Sequence, residues 1–204
     1  MTEKIKVKDE QILKAAAKCF AINGFSGARV DEIAAEAGVN KATLYYRIGD
    51  KAAIYDRIFT DMLKKVIENI KNNIASVNKT EDKIRGHIRA IAEVCDENLY
   101  LSPFILREVA SGGAHMSEET LKSMHEVRGT LGEILQQGID QKEFHNVNPF
   151  LIHMIIIGTL NFYSASQPIR NKMPDTPSAP LLNIPIMEIA DNISELILNS
   201  IRVN

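Results

Sequence analysis

Apolar residues recur every three to four positions along most of this chain, and the runs are separated by glycine, proline or serine-glycine breaks. Ile12, Leu13, Ala16, Ala17 and Phe20 share one helical face, which predicts a helix from near Asp9. It should stop at Asn23-Gly24-Phe25, where Gly24 can take the left-handed cap conformation. A short helix is expected at about 30–37, with Ile33, Ala34 and Ala37 on one side and Gly38 ending it. A third covers about 41–48, with Asn40 as its N-cap and Leu44 and Ile48 facing inward. Gly49-Asp50 breaks the chain, and Asp50 suits the cap of a long helix. Its stripe is Ile54, Ile58, Met62, Val66, Ile67 and Ile70, running to about Ala75. Helical spacing returns at about 81–100, 103–111, 117–140 and 149–166. Residues 167–185 carry five prolines and read as an irregular loop. The last helix has a wide stripe: Ile186, Ile189, Ala190, Ile193, Leu196, Ile197 and Ile201. No alternating run is long enough for a strand, so the expected fold class is all-α.

Composition narrows the class without naming a function. The chain has 204 residues, 45% of them hydrophobic, enough for one or two domains with a real core. The longest apolar stretch, residues 149–165, is interrupted by His153, Gly158, Thr159 and Asn161. It falls short of the ~20 residues needed to span a bilayer. The first ten residues have no apolar core, so no signal peptide is expected, and the expected location is cytoplasmic, with no membrane partner. Cys19 and Cys95 lack CxxC spacing and read as buried free thiols. His87, His115, His125, His145 and His153 include no metal-binding spacing, so no metal and no cofactor are expected. Arg107 beside Glu108 reads as a local ion pair. There is no phosphate-binding glycine loop, nucleophile elbow or catalytic carboxylate pair, and an enzyme is the remote reading.

Charge is unevenly placed. Residues 1–57 hold ten Lys/Arg against eight Asp/Glu, whereas the rest hold fourteen against eighteen. A basic end on an acidic body allows an anionic partner at that end. Two short helices joined by Ala37-Gly38-Val39-Asn40 make a helix-turn-helix pattern, whose second helix can lie in the DNA major groove. With Leu44 and Ile48 inward, Lys41, Ala42, Thr43, Tyr45, Tyr46 and Arg47 are left on or near the outer face. Hydroxyls and cations suit phosphate oxygens, and arginine can pair with guanine. Lys51 opens the next helix, where backbone N–H groups also favour an anion.

The stretch GFSGARVDEIAAEAGVNKATLYYRIGDKAAIYDRI, residues 24–58, closely resembles the DNA-binding domain of TetR/AcrR-type transcriptional regulators. The resemblance rests on Gly24-Phe25, Ile33-Ala34, Ala37-Gly38-Val39, Thr43-Leu44-Tyr45-Tyr46, and Lys51 with Ile54. It departs at Ala28 and Arg29, where the family has a capping Thr or Ser, and at Ile48, where it usually has Phe. The resemblance implies backbone contacts from Thr43, Tyr46 and Lys51, with Arg29 reaching a phosphate in place of the missing hydroxyl. Lys41, Tyr45 and Arg47 are then the candidates near base edges. It also implies a DNA-binding domain over 1–50 and a helical effector-binding and dimerisation domain over 51–204. The expected partners are double-stranded operator DNA, a mainly apolar small-molecule effector and a second copy of the chain. A repressor is the expected role. The other reading is a protein of the same fold controlled by a protein partner.

Within the body, Met62, Cys95, Phe104, Met124, Met154 and Phe162 are soft or aromatic residues on apolar faces, and Phe59 and Ile91 join them as apolar candidates. They are candidates to line an effector chamber, although ordinary core would use the same types. Helix 149–166 and the last helix are the expected half of an intersubunit four-helix bundle. Phe150, Met154, Ile157, Ile189, Ile193, Leu196 and Ile197 are its candidate contacts.

Overall fold

A computed structural model describes residues 2–173 and 183–203, with side chains from residue 9 onward. The first helix, α1 (Thr2–Gly27), starts earlier than the apolar spacing suggests, because its first turns carry too few apolar residues to show a stripe. Gly24 interrupts it with φ 69° and ψ 175°. That is a positive-φ kink and not the left-handed helical cap, so a further helical turn follows to Gly27. Next come α2 (Val30–Glu36) and α3 (Lys41–Arg47). Arg29 precedes α2 without a side-chain cap, whereas Asn40 caps α3 by accepting from the Thr43 backbone N–H at 2.7 Å. Gly38, at φ 65°, makes the turn between them. Ile12, Ala16, Ile33 and Leu44 are fully or almost fully buried and hold the three helices together.

The long α4 (Lys51–Ile74) is capped by Asp50, which accepts from the Ala53 N–H at 2.8 Å. It leaves the small N-terminal unit and packs on α5 (Thr80–Glu97) and α7 (Glu118–Asp140). Between those two, α6 (Leu101–Ala110) reaches back to α1 and also touches α8 (Pro149–Ala165). A short α9 (Gln167–Arg170) opens the stretch expected to be irregular, and residues 174–182 of that stretch lie outside the described residues. The last helix, α10 (Ile186–Ile201), packs on α5 and α8. The chain end is strapped down by an isolated antiparallel bridge between Phe144 and Arg202. Arg202 adds two bonds of 2.6 Å to Glu81.

An aromatic cluster joins the N-terminal unit to the body. Tyr55 of α4 lies 4.8 Å from Phe20 of α1 and 4.6 Å from Phe104 of α6, centroid to centroid. Phe59 lies 4.5 Å from Phe104. These edge and tilted contacts bury large rings across the unit boundary, so α4 and α6 are fixed to α1 by core packing.

Candidate nucleic-acid interface and body interior

The surface of α3 follows from one buried residue. With Leu44 facing the core, Ala42, Tyr45 and Tyr46 point away from it, and Tyr46 is 92% exposed. Lys41 is exposed on the same side and pairs with Asp31 of α2 at 3.0 Å. Asp31 raises the Lys41 pKa through that bond, keeping the ammonium charged. Thr43 is half-buried and Arg29 is exposed at the start of α2. Lys51 reaches back across the gap, its Nζ 3.3 Å from the Ser26 carbonyl and 4.8 Å from the centre of the Phe25 ring.

Arg47 does not belong to this outer set. It stands three residues after Leu44 and so shares its side of the helix. Its Nε donates to Asp9 of α1 at 2.6 Å, and the side chain is only 15% exposed. The expected base contact is corrected to a clamp that holds α3 on α1.

The junction behind α3 is polar as well as aromatic. Glu108 is 1% exposed and accepts from the Tyr55 hydroxyl at 2.6 Å and from the His115 backbone N–H at 2.6 Å. Burial pushes the Glu108 pKa up, but these donors outweigh it and hold the carboxyl below its ordinary value. Burial and then the bond to Glu108 push Tyr55 up. The His115 ring stacks on Phe25 at 4.1 Å. Arg107 does not pair with Glu108 as its position suggests. It donates to the α1 carbonyls just before the Gly24 kink, Ala21 at 2.5 Å and Ile22 at 2.9 Å.

The candidate chamber residues divide. Phe59, Ile91, Cys95 and Phe104 are buried in the body and Met62 is half-buried against it. Burial pushes the Cys95 thiol up to about 11, so it is an inert thiol at neutral pH. Met124, Met154 and Phe162 are exposed at 37%, 45% and 68% and do not line the interior. Their helices carry apolar residues on more than one side, and these three fall on the outer side.

Periodicity missed the polar interior. His87 of α5 is fully buried, and neither ring nitrogen meets a partner among the described residues. Burial first, and His153 of α8 second, push its pKa down to about 3. His153 is lowered by burial and then by Arg128. Its Nδ1, the Thr60 and Ser102 hydroxyls and the Asn161 Oδ1 are likewise unpaired among the described residues. The signal was present in sequence: His87 sits on the Ile84-Ile88-Ile91 face and His153 beside Ile152 and Ile156.

The expected dimer contacts also divide. Ile193 and Ile197 are buried within their own subunit and are corrected to core residues. Ile157 and Ile189 are half-buried. Leu196, 72% exposed, points outward from α10, and α8 presents Phe150, Leu151, Met154, Ile155 and Phe162 on an exposed apolar face. Gly158 and Thr159 interrupt this face with small side chains, and a Cβ on Gly158 would meet open space. Among the described residues no helix is long and apolar enough to cross a membrane. No three His, Cys, Asp or Glu side chains among them converge to hold a metal ion.

Two family profiles match this chain. Residues 12–58 match that described as bacterial regulatory proteins, tetR family, and residues 77–165 match a tetracyclin repressor-like C-terminal domain. The probable HTH-type transcriptional regulator YttP of Bacillus subtilis (strain 168) is 26% identical over 144 residues, covering 69% of each chain. The fatty acid metabolism regulator protein of the same organism is 25% identical over 156 residues, covering 74% of this chain and 78% of that one. The structure of the TetR family transcriptional regulator PfmR from Thermus thermophilus is 26% identical, with a TM-score of 0.70. The match covers 92% of this chain and 97% of that one. With helices α1–α3 in a helix-turn-helix arrangement on an all-helical body, the chain belongs to the TetR family of DNA-binding transcriptional regulators.

Proposed function

We propose that the protein is a homodimeric repressor that holds a palindromic operator and releases it when a mainly apolar small molecule enters the body. The division of labour falls near residue 50, with DNA read before it and the effector sensed after it. The observation that carries the reading is the continuity of α4. It begins at Lys51 beside the outer face of α3, and its buried Phe59, Leu63, Val66 and Ile70 run through the body core. A molecule lodged against Phe59, Met62, Ile91, Cys95 or Phe104 would push on the helix that sets the spacing of the two α3 helices in a dimer. Such a ligand must favour the DNA-incompetent spacing, and a coupling of about 1–3 kcal/mol weakens operator binding about 5–150-fold. The name of the fatty-acid metabolism regulator among the relatives supports an effector with an apolar chain.

In this reading Lys41 and Tyr45 lie near base edges, and Arg29, Thr43, Tyr46 and Lys51 contact the backbone, with Ala42 packed against the groove wall. The dimer forms through Phe150, Met154, Ile157, Ile189 and Leu196. The test is operator selection from random duplexes, followed by titration at several salt concentrations. A palindrome is expected, because a two-fold dimer presents two copies of α3. Lys51→Ala should reduce the salt slope by about one and weaken all sequences alike. An asymmetric site, or a protein that is monomeric when bound, would overturn the dimer reading. An effector that binds tightly without loosening operator binding would overturn the release mechanism.

A further inference from the structure

A cleft of about 280 Å³ opens where the C-terminal ends of α5 and α8 meet the start of α10. This is just below the usual range for small-molecule sites, roughly 300–1,000 Å³. Cys95 and Ile186 are its buried apolar lining, and Leu99, Ile184 and Pro185 line it further. Tyr163 walls one side and is fixed at both ends of its hydroxyl. It donates to the Ile184 carbonyl at 2.6 Å and accepts from the Ile184 N–H at 3.0 Å.

Arg170 is a cation of this cleft, and its hydrogen-bond partners among the described residues are all neutral. Its guanidinium carbon lies 3.7 Å from the centre of the Tyr163 ring. Its Nη1 donates to the Tyr163 carbonyl and to the Ser166 hydroxyl, and Nε donates to the Asn183 side-chain oxygen at 3.4 Å. No carboxylate pairs with it, and Nη2 donates to nothing, among the described residues. Among the described residues, a half-buried guanidinium therefore sits stacked, oriented and without a carboxylate partner over a cleft whose apolar lining is joined by Ser164, Gln167 and Asn183. Among the described residues lining the cleft, Asp96 is the acidic one, and it is exposed. Its charge is screened by solvent far more than that of the half-buried guanidinium.

We infer that this cleft binds an amphiphilic anion, its carboxylate or phosphate head on the free edge of Arg170 and its apolar chain against Cys95, Leu99 and Ile186. Arginine offers a planar fork that matches both head groups, and ring stacking holds that fork in place before binding. The site stands on its own geometry, but its role as the effector site rests on the release mechanism proposed above. It adds an anionic head to the mainly apolar ligand proposed there.

The experiment is calorimetric titration of the DNA-free protein with decanoate, decyl phosphate and decanol. A charge-assisted bond contributes about 1.5–3 kcal/mol, so both anions should bind about 10–150-fold more tightly than the alcohol. Arg170→Gln should abolish that preference, and Arg170→Lys should retain part of it. Leu99→Asp, an exposed change at the rim, should also remove the preference and does not depend on the packing of Arg170. Equal binding of all three probes, binding of none, or a preference that survives Arg170→Gln and Leu99→Asp would overturn the site. Operator titrations with the same probes separate the two readings. Anion binding through Arg170 with unchanged operator affinity would keep the site and reject the release mechanism. Operator release by decanol as readily as by decanoate would keep the mechanism and reject the site.

Discussion

Acid should destabilise this protein through the interior of its body, and His87 gives the effect a sign and a size. Its imidazole is fully buried and held neutral, with a pKa pushed down to about 3 by burial and by His153. In the unfolded chain it titrates near its ordinary value of about 6.5. Between those values the unfolded chain takes up a proton that the folded chain refuses. The contribution is therefore fully present above about pH 6.5 and is lost as the pH falls. The slope for one such group is about 1.4 kcal/mol per pH unit, so His87 alone removes about 2 kcal/mol between about pH 6.5 and pH 5. His153, lowered by burial and then by Arg128, adds a loss of the same sign. The perturbation is His87→Leu, which keeps an apolar group at the site. Urea unfolding of parent and variant is measured at several pH values and one protein concentration, since dimerisation would make apparent stability concentration-dependent. The variant should gain about 2 kcal/mol on the parent between pH 6.5 and pH 5. Parallel stability curves would refute a buried neutral imidazole at this position.

Tyr55→Phe removes a buried donor from Glu108 and should cost about 1–3 kcal/mol in urea unfolding. A change within error would mean that water replaces the hydroxyl. Gly138→Ala would drive a Cβ into the Phe144 ring and should lower stability by about 1–3 kcal/mol, read as a fall in melting temperature. Asn40→Ala deletes the cap of α3 and should cost about 0.5–2 kcal/mol, with weaker operator binding as the helix frays. Leu196→Asp should dissociate a dimer while leaving a folded monomer in sedimentation, whereas Ile197→Asp should unfold the subunit, because only the first side chain is exposed. A folded, dimeric Leu196→Asp variant would move the interface off α10.

Much of the N-terminal unit is legible because its signals are local. Asn40 and Asp50 each accept from a backbone N–H three residues on, and Gly38 marks the turn between α2 and α3. What the sequence conceals is pairing over distance. Arg47 meets Asp9 across 38 residues and Tyr55 meets Glu108 across 53, and no periodicity announces either. The wide stripe of α10 poses a different problem. It shows that the helix buries a face, yet Ile193 and Ile197 serve the subunit's own core while Leu196 is left for another surface. Arg170 lies hidden for a third reason: its proposed role rests on having only neutral hydrogen-bond partners among the described residues, which a sequence cannot display.

Two successive residues of α6 fasten the N-terminal unit to the body. Arg107 grips α1 just before its Gly24 kink, and Glu108 grips α4 through Tyr55. Sliding α6 against either helix would break a bond to a charged group, each worth about 1.5–3 kcal/mol. With the packing of Tyr55 on Phe20 and Phe104 and the stack of His115 on Phe25, these bonds make α6 a stiff coupling, so that a shift of this helix would be passed to α1 and α4 together.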